Sequence, residues 1–125
     1  MILKYGLLGC SNIAKKSFFP VLASSNTMEA SFIGSRSIEK SKEWAEKYNV
    51  PSFGTYDDVI NSNVDVIYIT LPIAMHEEWT IKALNAGKHV LCEKSSTISF
   101  QSALNMINAS RTNNKRLMEG FSFRF

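Results

Sequence analysis

No apolar run in these 125 residues approaches the ~20 that a membrane helix requires, which excludes insertion by such a helix. Cysteine is scarce as well. Cys10 and Cys92 are too few and too far apart in sequence for a zinc site or a disulfide framework, so both are read as reduced thiols. Neither sign of charge prevails. The formal net charge is +3, and the lysines and arginines are dispersed among acids rather than gathered into a stripe, which argues against a nucleic-acid partner and suits an anionic small ligand. The N-terminus lacks the basic region and small-residue cleavage site of a secretion signal, so a cytoplasmic location is expected. No linker, repeat or low-complexity segment interrupts the chain. Its length is that of one domain, able to bury roughly two-thirds of its unfolded surface.

What is present is alternation. Apolar runs of strand length recur at 2–8, 28–33, 64–70 and 89–92, with a weaker one at 116–118. Helical patterns lie between them, at 13–23 with Pro20 expected to kink or break it, 37–48, 56–61, 74–86 and 99–112. Ser37 can cap the second of these, whose stripe is Ile38, Ser41, Ala45 and Tyr48; Phe100, Leu104 and Ile107 form the stripe of the last. Strands alternating with helices predict parallel pairing through right-handed crossovers, and the nearly continuous apolar strands predict a sheet covered on both faces. The fold class is therefore α/β, a doubly wound parallel sheet of the Rossmann kind with strand order 3-2-1-4-5-6. That order separates the strands bearing Cys10 and Cys92 by two spacings, about 9.6 Å, too far for a disulfide.

The first strand closes and the first helix opens through Gly6-Leu7-Leu8-Gly9-Cys10-Ser11-Asn12-Ile13-Ala14. This is the setting in which a dinucleotide fingerprint carries meaning. Gly9 makes the tight turn, Ala14 lets helix and strand pack closely, and the helix start offers N–H groups to a pyrophosphate. Ser11 replaces the second fingerprint glycine, and its hydroxyl can donate to a phosphate. NAD enzymes place an acid at the end of the second strand to hold the ribose hydroxyl. Here that position reads Gly34-Ser35-Arg36-Ser37, with Lys40 nearby, which suits a 2'-phosphate and hence NADP(H) more than NAD. After the third long run come Leu71, Pro72 and His76; after the next, Glu93 and Lys94. A histidine on the inward face of a helix is more often a structural hydrogen-bonder than a catalyst, and Trp79 beside it reads as core. All these positions follow the carboxyl ends of expected parallel strands, the edge at which open α/β sheets bind ligands.

Taken together, GLLGCSNIA, SRSIEKSKEWAEKY, VDVIYITLP with the following His76, and AGKHVLCEK resemble the N-terminal domain of the glucose-fructose oxidoreductase, inositol dehydrogenase and rhizopine-catabolism (Gfo/Idh/MocA) family. The likeness spans essentially the whole chain, and AGKHVLCEK is its most specific part. It implies an oxidoreductase transferring a hydride between NADP(H) and a carbohydrate-like alcohol or ketone. Lys94 would be the catalytic proton donor or acceptor, matching the lysine of a Glu-Lys-Pro motif whose proline is Ser95 here. The cofactor would be held by Gly9, Cys10, Ser11, Asn12, Ile13, Ser35, Arg36, Lys40, Leu71, Pro72, His76, Glu93 and Lys94, with Glu93 at the nicotinamide end and no metal. Residues 1–120 would form the dinucleotide domain and 121–125 the start of a connection to a second, substrate-binding domain absent from this chain. Without that domain the chain alone should be inactive. The resemblance also implies a homo-oligomer in the full-length protein. LP...HEEW is similar to members that reduce keto-sugars, including nucleotide-linked ones, and LMEGFSFRF to the dihydrodiol dehydrogenase branch. The competing reading is a non-catalytic dinucleotide-binding module for sensing or assembly. In the tail, Phe121, Phe123 and Phe125 alternate to one face of an expected strand, which would invite self-association.

Overall fold

The computed structural model describes residues 1–94 and 99–120. The strands β1 (Leu3–Leu8), β2 (Met28–Gly34), β3 (Ser52–Gly54), β4 (Val66–Ile69), β5 (His89–Glu93) and β6 (Leu117–Gly120) form one six-stranded parallel sheet. Its order, β3-β2-β1-β4-β5-β6, is the expected one. Five of the strands coincide with the apolar runs. The sixth, β3, has three residues and lies between two of the helical patterns, where no apolar run stands out.

Local chemistry sets the helices α1 (Phe19–Ala23), α2 (Ile38–Tyr48), α3 (Tyr56–Ile60), α4 (His76–Asn85) and α5 (Phe100–Asn113). Ser37 is extended, and its Oγ accepts the Lys40 N–H at 3.2 Å, a cap that contributes about 1 kcal/mol. The helix stops where Asn49 turns left-handed at φ 56°. Thr55 and Asp58 start α3 reciprocally, each side chain accepting the other's backbone N–H. The kink expected at Pro20 takes a particular form. Residues Ala14–Phe18 are wound as a π-helix, and Pro20 falls in the first turn of α1. Proline has no N–H to give and its ring crowds the carbonyl four residues back, so the wider turn before it relieves the clash.

The helices divide between the two sheet faces. On the first face, the π-turn, α1 and α2 bury Leu7, Phe18, Phe19, Ile33, Trp44 and Tyr68 in one cluster. On the second, α3 and α4 enclose Leu8, Val59, Ile67, Ile69, Trp79 and Val90, with Ala109 of α5 and Leu117 of β6 packed against them. The two tryptophans thus lie in opposite layers. Trp79 is core, as expected, with its ring centroid 5.2 Å from that of Tyr56 in an edge-to-face contact.

Two expectations are corrected. The stripe chosen for α5 points outward: Phe100 is 78% exposed and Leu104 and Ile107 stand in solvent too, while Ser102 and Met106 are buried. Ser102 and Asn105 instead tether the helix to the Glu77 carboxylate of α4. These bonds hold Glu77 below the usual carboxylate range. The sheet is also not covered on both faces throughout. Among the described residues no helix lies over β5 and β6 on the first face, where Leu91 is half-buried and Met118 exposed. A groove of about 480 Å³ opens there, lined by Tyr5, Lys16, Phe18, Val21, Tyr68 and Leu91.

Candidate functional site

The carboxyl ends of four adjacent strands are stitched together by backbone hydrogen bonds. Gly9 N–H reaches the Gly34 carbonyl at 3.0 Å, Thr70 N–H the Leu8 carbonyl at 3.0 Å, and Ser35 N–H the Gly54 carbonyl at 3.1 Å. Gly9 makes the turn at φ +100°, where side chains are strained. A Cβ there would also stand 2.9 Å from Thr70 Oγ1, so the loop has no room for one. Thr70, which the sequence reading passed over, donates its hydroxyl to the carbonyls of Leu8 and Gly9 at 3.0 Å each, turning both carbonyls inward. The chain becomes helical at Asn12. Ser11 accepts the Ala14 N–H at 3.2 Å through its Oγ, so the hydroxyl already caps the helix and keeps its own hydrogen to donate. The N–H groups of Asn12 and Ile13 open the helix, and such groups are the usual ligands of a phosphate.

The adjacent strand end gathers the second set. Ser35 is buried and its Oγ accepts the Ser37 N–H at 3.2 Å. Arg36 and Lys40 are exposed. Burial pushes the half-buried Cys10 thiol up, while the Lys40 charge and a hydrogen bond with Ser35 pull it back and the Glu43 charge adds to the rise. Tyr56 joins them from the start of α3: burial raises its phenol, and the Arg36 charge opposes this. No carboxylate occupies residues 34–37; the nearest in sequence, Glu39, accepts from the Ser37 hydroxyl.

The other half of the edge combines buried and exposed groups. Leu71 is 7% exposed and Pro72 is exposed. His76 is 2% exposed, and its Nε2 donates to the Leu71 carbonyl at 2.6 Å, the structural bond expected of a histidine on this face. His89 accepts the Arg116 N–H at Nδ1, joining β5 to β6. Glu93, at the end of β5, accepts a hydrogen bond from the Tyr68 hydroxyl. Lys94 follows and is exposed. Ser95, Phe121, Phe123 and Phe125 lie outside the described residues. Both cysteines are free thiols. Among the described residues no group of three or more His, Cys, Asp or Glu could hold a metal ion. No helix among them is long and apolar enough to cross a membrane.

The Arg36–Lys40 end and the Glu93–Lys94 end are three strand spacings apart, about 14 Å, with the Gly9 loop between them. That is the span of an extended dinucleotide laid across the strand-order switch between β1 and β4. A tight glycine turn without space for a Cβ, open helix N–H groups and cations at one end fit such a ligand.

A doubly wound sheet with this edge defines the class of nucleotide-binding α/β domains. Within it, the chain belongs to the Gfo/Idh/MocA oxidoreductase family, whose NAD-binding Rossmann-fold model matches residues 3–121. A relative is the dTDP-3,4-didehydro-2,6-dideoxy-alpha-D-glucose 3-reductase of Streptomyces violaceoruber, 36% identical over 97% of this chain and 36% of that protein. Another is D-xylose 1-dehydrogenase (NADP(+)) 2 of Haloferax volcanii, 32% identical over 97% of this chain and 38% of that protein. Among solved structures, the 3-ketoreductase KijD10 of Actinomadura kijaniata, in complex with TDP-benzene and NADP, superposes with a TM-score of 0.92 at 32% identity, covering 97% of this chain and 39% of that one. The chain thus spans little more than a third of the length of these relatives.

Proposed function

We propose that this domain binds NADP(H) and serves hydride transfer between it and a carbohydrate-like alcohol or ketone, with a nucleotide-linked keto-sugar as the favoured substrate class. The observation that carries the cofactor choice is the end of β2: Ser35, Arg36 and nearby Lys40 stand where an acid would otherwise receive the ribose hydroxyl. A solved relative holding NADP and TDP-benzene and a relative named for NADP(+) support the same choice. That the family and these relatives are oxidoreductases favours catalysis over a sensing or assembly module.

When bound, the nicotinamide supplies or accepts the hydride. The chain's own residues do the rest. The Asn12 and Ile13 N–H groups and the Ser11 hydroxyl hold the pyrophosphate, while the Arg36 guanidinium and Lys40 ammonium pair with the 2'-phosphate. Cys10, Leu71 and Pro72 wall the site, and His76 fixes the Leu71 carbonyl beneath it. Glu93 orients the nicotinamide end, and Lys94 gives a proton to, or takes one from, the substrate oxygen as the carbon beside it changes oxidation state. Substrate contacts would come from a second domain beyond residues 1–120, with 121–125 as the start of the connection. The chain alone then binds cofactor without useful turnover, because orienting the substrate can account for ~7–11 kcal/mol of the barrier. The intact protein would be a cytoplasmic homo-oligomer without a nucleic-acid partner. Calorimetric titration of the chain with NADPH and NADH tests the reading. Tighter NADPH binding is expected; equal affinities would overturn the cofactor assignment.

A further inference from the structure

Glu93 ends a strand at an open edge, where a carboxylate on a flexible stem would ordinarily sample several rotamers. In this fold it does not have that freedom. Tyr68 of β4 pairs with Leu91 of the parallel β5, and Glu93 lies two residues farther on, so both side chains leave the same sheet face. The Tyr68 hydroxyl donates to Glu93 Oε2. Its ring is itself immobilised, 4% exposed and packed with its centroid 4.9 Å from that of Phe18 in the π-turn. Burial, then the bond to Glu93, raise the phenol's pKa, so it stays a donor wherever the protein is folded. One carboxylate oxygen is thereby taken and the other is left to accept, which suits an amide donor such as the carboxamide of a nicotinamide.

We infer that Tyr68 is a positioning residue, whose hydrogen bond to Glu93 fixes that carboxylate and the end of β5 for the nicotinamide half of the bound dinucleotide. The inference rests on the cofactor reading above. Tyr68 touches no reacting atom; it acts through Glu93. Its hydroxyl should therefore matter to a ligand that carries a nicotinamide and be indifferent to one that ends at the adenosine side.

Titrating wild type, Tyr68→Phe, Glu93→Ala and the double variant with NADPH and with adenosine 2',5'-bisphosphate, which lacks the nicotinamide half, tests this. Tyr68→Phe keeps the ring and its contact with Phe18, and a thermal melt of each variant checks the fold. The expected result is an NADPH affinity about fivefold weaker for Tyr68→Phe, with bisphosphate affinity unchanged. In the Glu93→Ala background the same change should weaken NADPH no further. Equal weakening of both ligands, no weakening of either, or full additivity with Glu93→Ala would overturn the inference and leave Tyr68 a packing residue. A wild-type chain that binds neither ligand would overturn the cofactor reading itself, and the inference with it.

Discussion

The two halves of the sheet edge are made differently. Around β1, β2 and β3 the proposed cofactor site consists of a glycine turn, helix N–H groups and exposed cations on a framework packed by helices. Around β4 and β5 it consists of buried or half-buried polar groups, Thr70, His76 and the Tyr68–Glu93 pair, on a sheet whose first face is partly uncovered. The first half is built to capture charge from solution, since its cations stand exposed to it. The second half is built to hold geometry, since Thr70, His76 and Tyr68 each hydrogen-bond another part of the chain before any ligand arrives. Most of the affinity should reside in the first and the reaction rate in the second.

The largest break in that comparison is Lys94→Ala in the two-domain protein proposed above. Turnover should fall by about 10²–10⁴-fold, the usual worth of a positioned acid-base group, with NADPH affinity little changed. Single-turnover kinetics beside equilibrium titration separates the two effects; a loss confined to affinity would merge the halves. Next comes Gly9→Val, which places a branched side chain at φ +100° and against Thr70. Strain of about 1–3 kcal/mol before any clash should lower the melting temperature and sharply weaken NADPH binding, because this loop joins the halves. An unshifted melt would show that the turn can be rebuilt.

Arg36→Ala sharpens the contrast within the first half. NADPH binding should lose about 1–3 kcal/mol and NADH binding little, measured by calorimetry. Equal losses would mean Arg36 serves the common part of both cofactors. The smallest effect is expected from Ser11→Gly. Glycine permits the closest approach to the pyrophosphate, and replacing a serine cap by glycine costs only a few tenths of a kcal/mol. Cofactor binding should be retained or slightly tighter, and a tenfold loss would make the hydroxyl a principal phosphate ligand.

The first half was also the more legible in the sequence, because its parts are local. The Gly9 turn, the Ser37 cap and the missing acid after Gly34 are each contained within a few residues. In the second half the decisive bonds join residues far apart along the chain. Tyr68 and Glu93 are 25 positions apart, and Thr70 reaches back 62 to Leu8. Those contacts depend on which strands pair and in what register, which no window of sequence contains. The same reason explains β3, too short to show periodicity, and α5. There Phe100, Leu104 and Ile107 do keep helical spacing, but the spacing identifies a face without saying whether anything lies opposite it. The buried face instead carries Met106 with Ser102, and Ser102 and Asn105 answer Glu77.

The placement of Trp44 on the buried face of α2 and of Trp79 against Tyr56 gives the molecule two separate optical reporters, one per layer. Each also has a lysine ammonium over its ring, Lys15 at 5.9 Å for Trp44 and Lys82 at 4.2 Å for Trp79. The chain contains no third tryptophan, so replacing either with phenylalanine leaves an emission spectrum that describes a single side of the sheet. Unfolding followed through both variants would tell whether the layers come apart together.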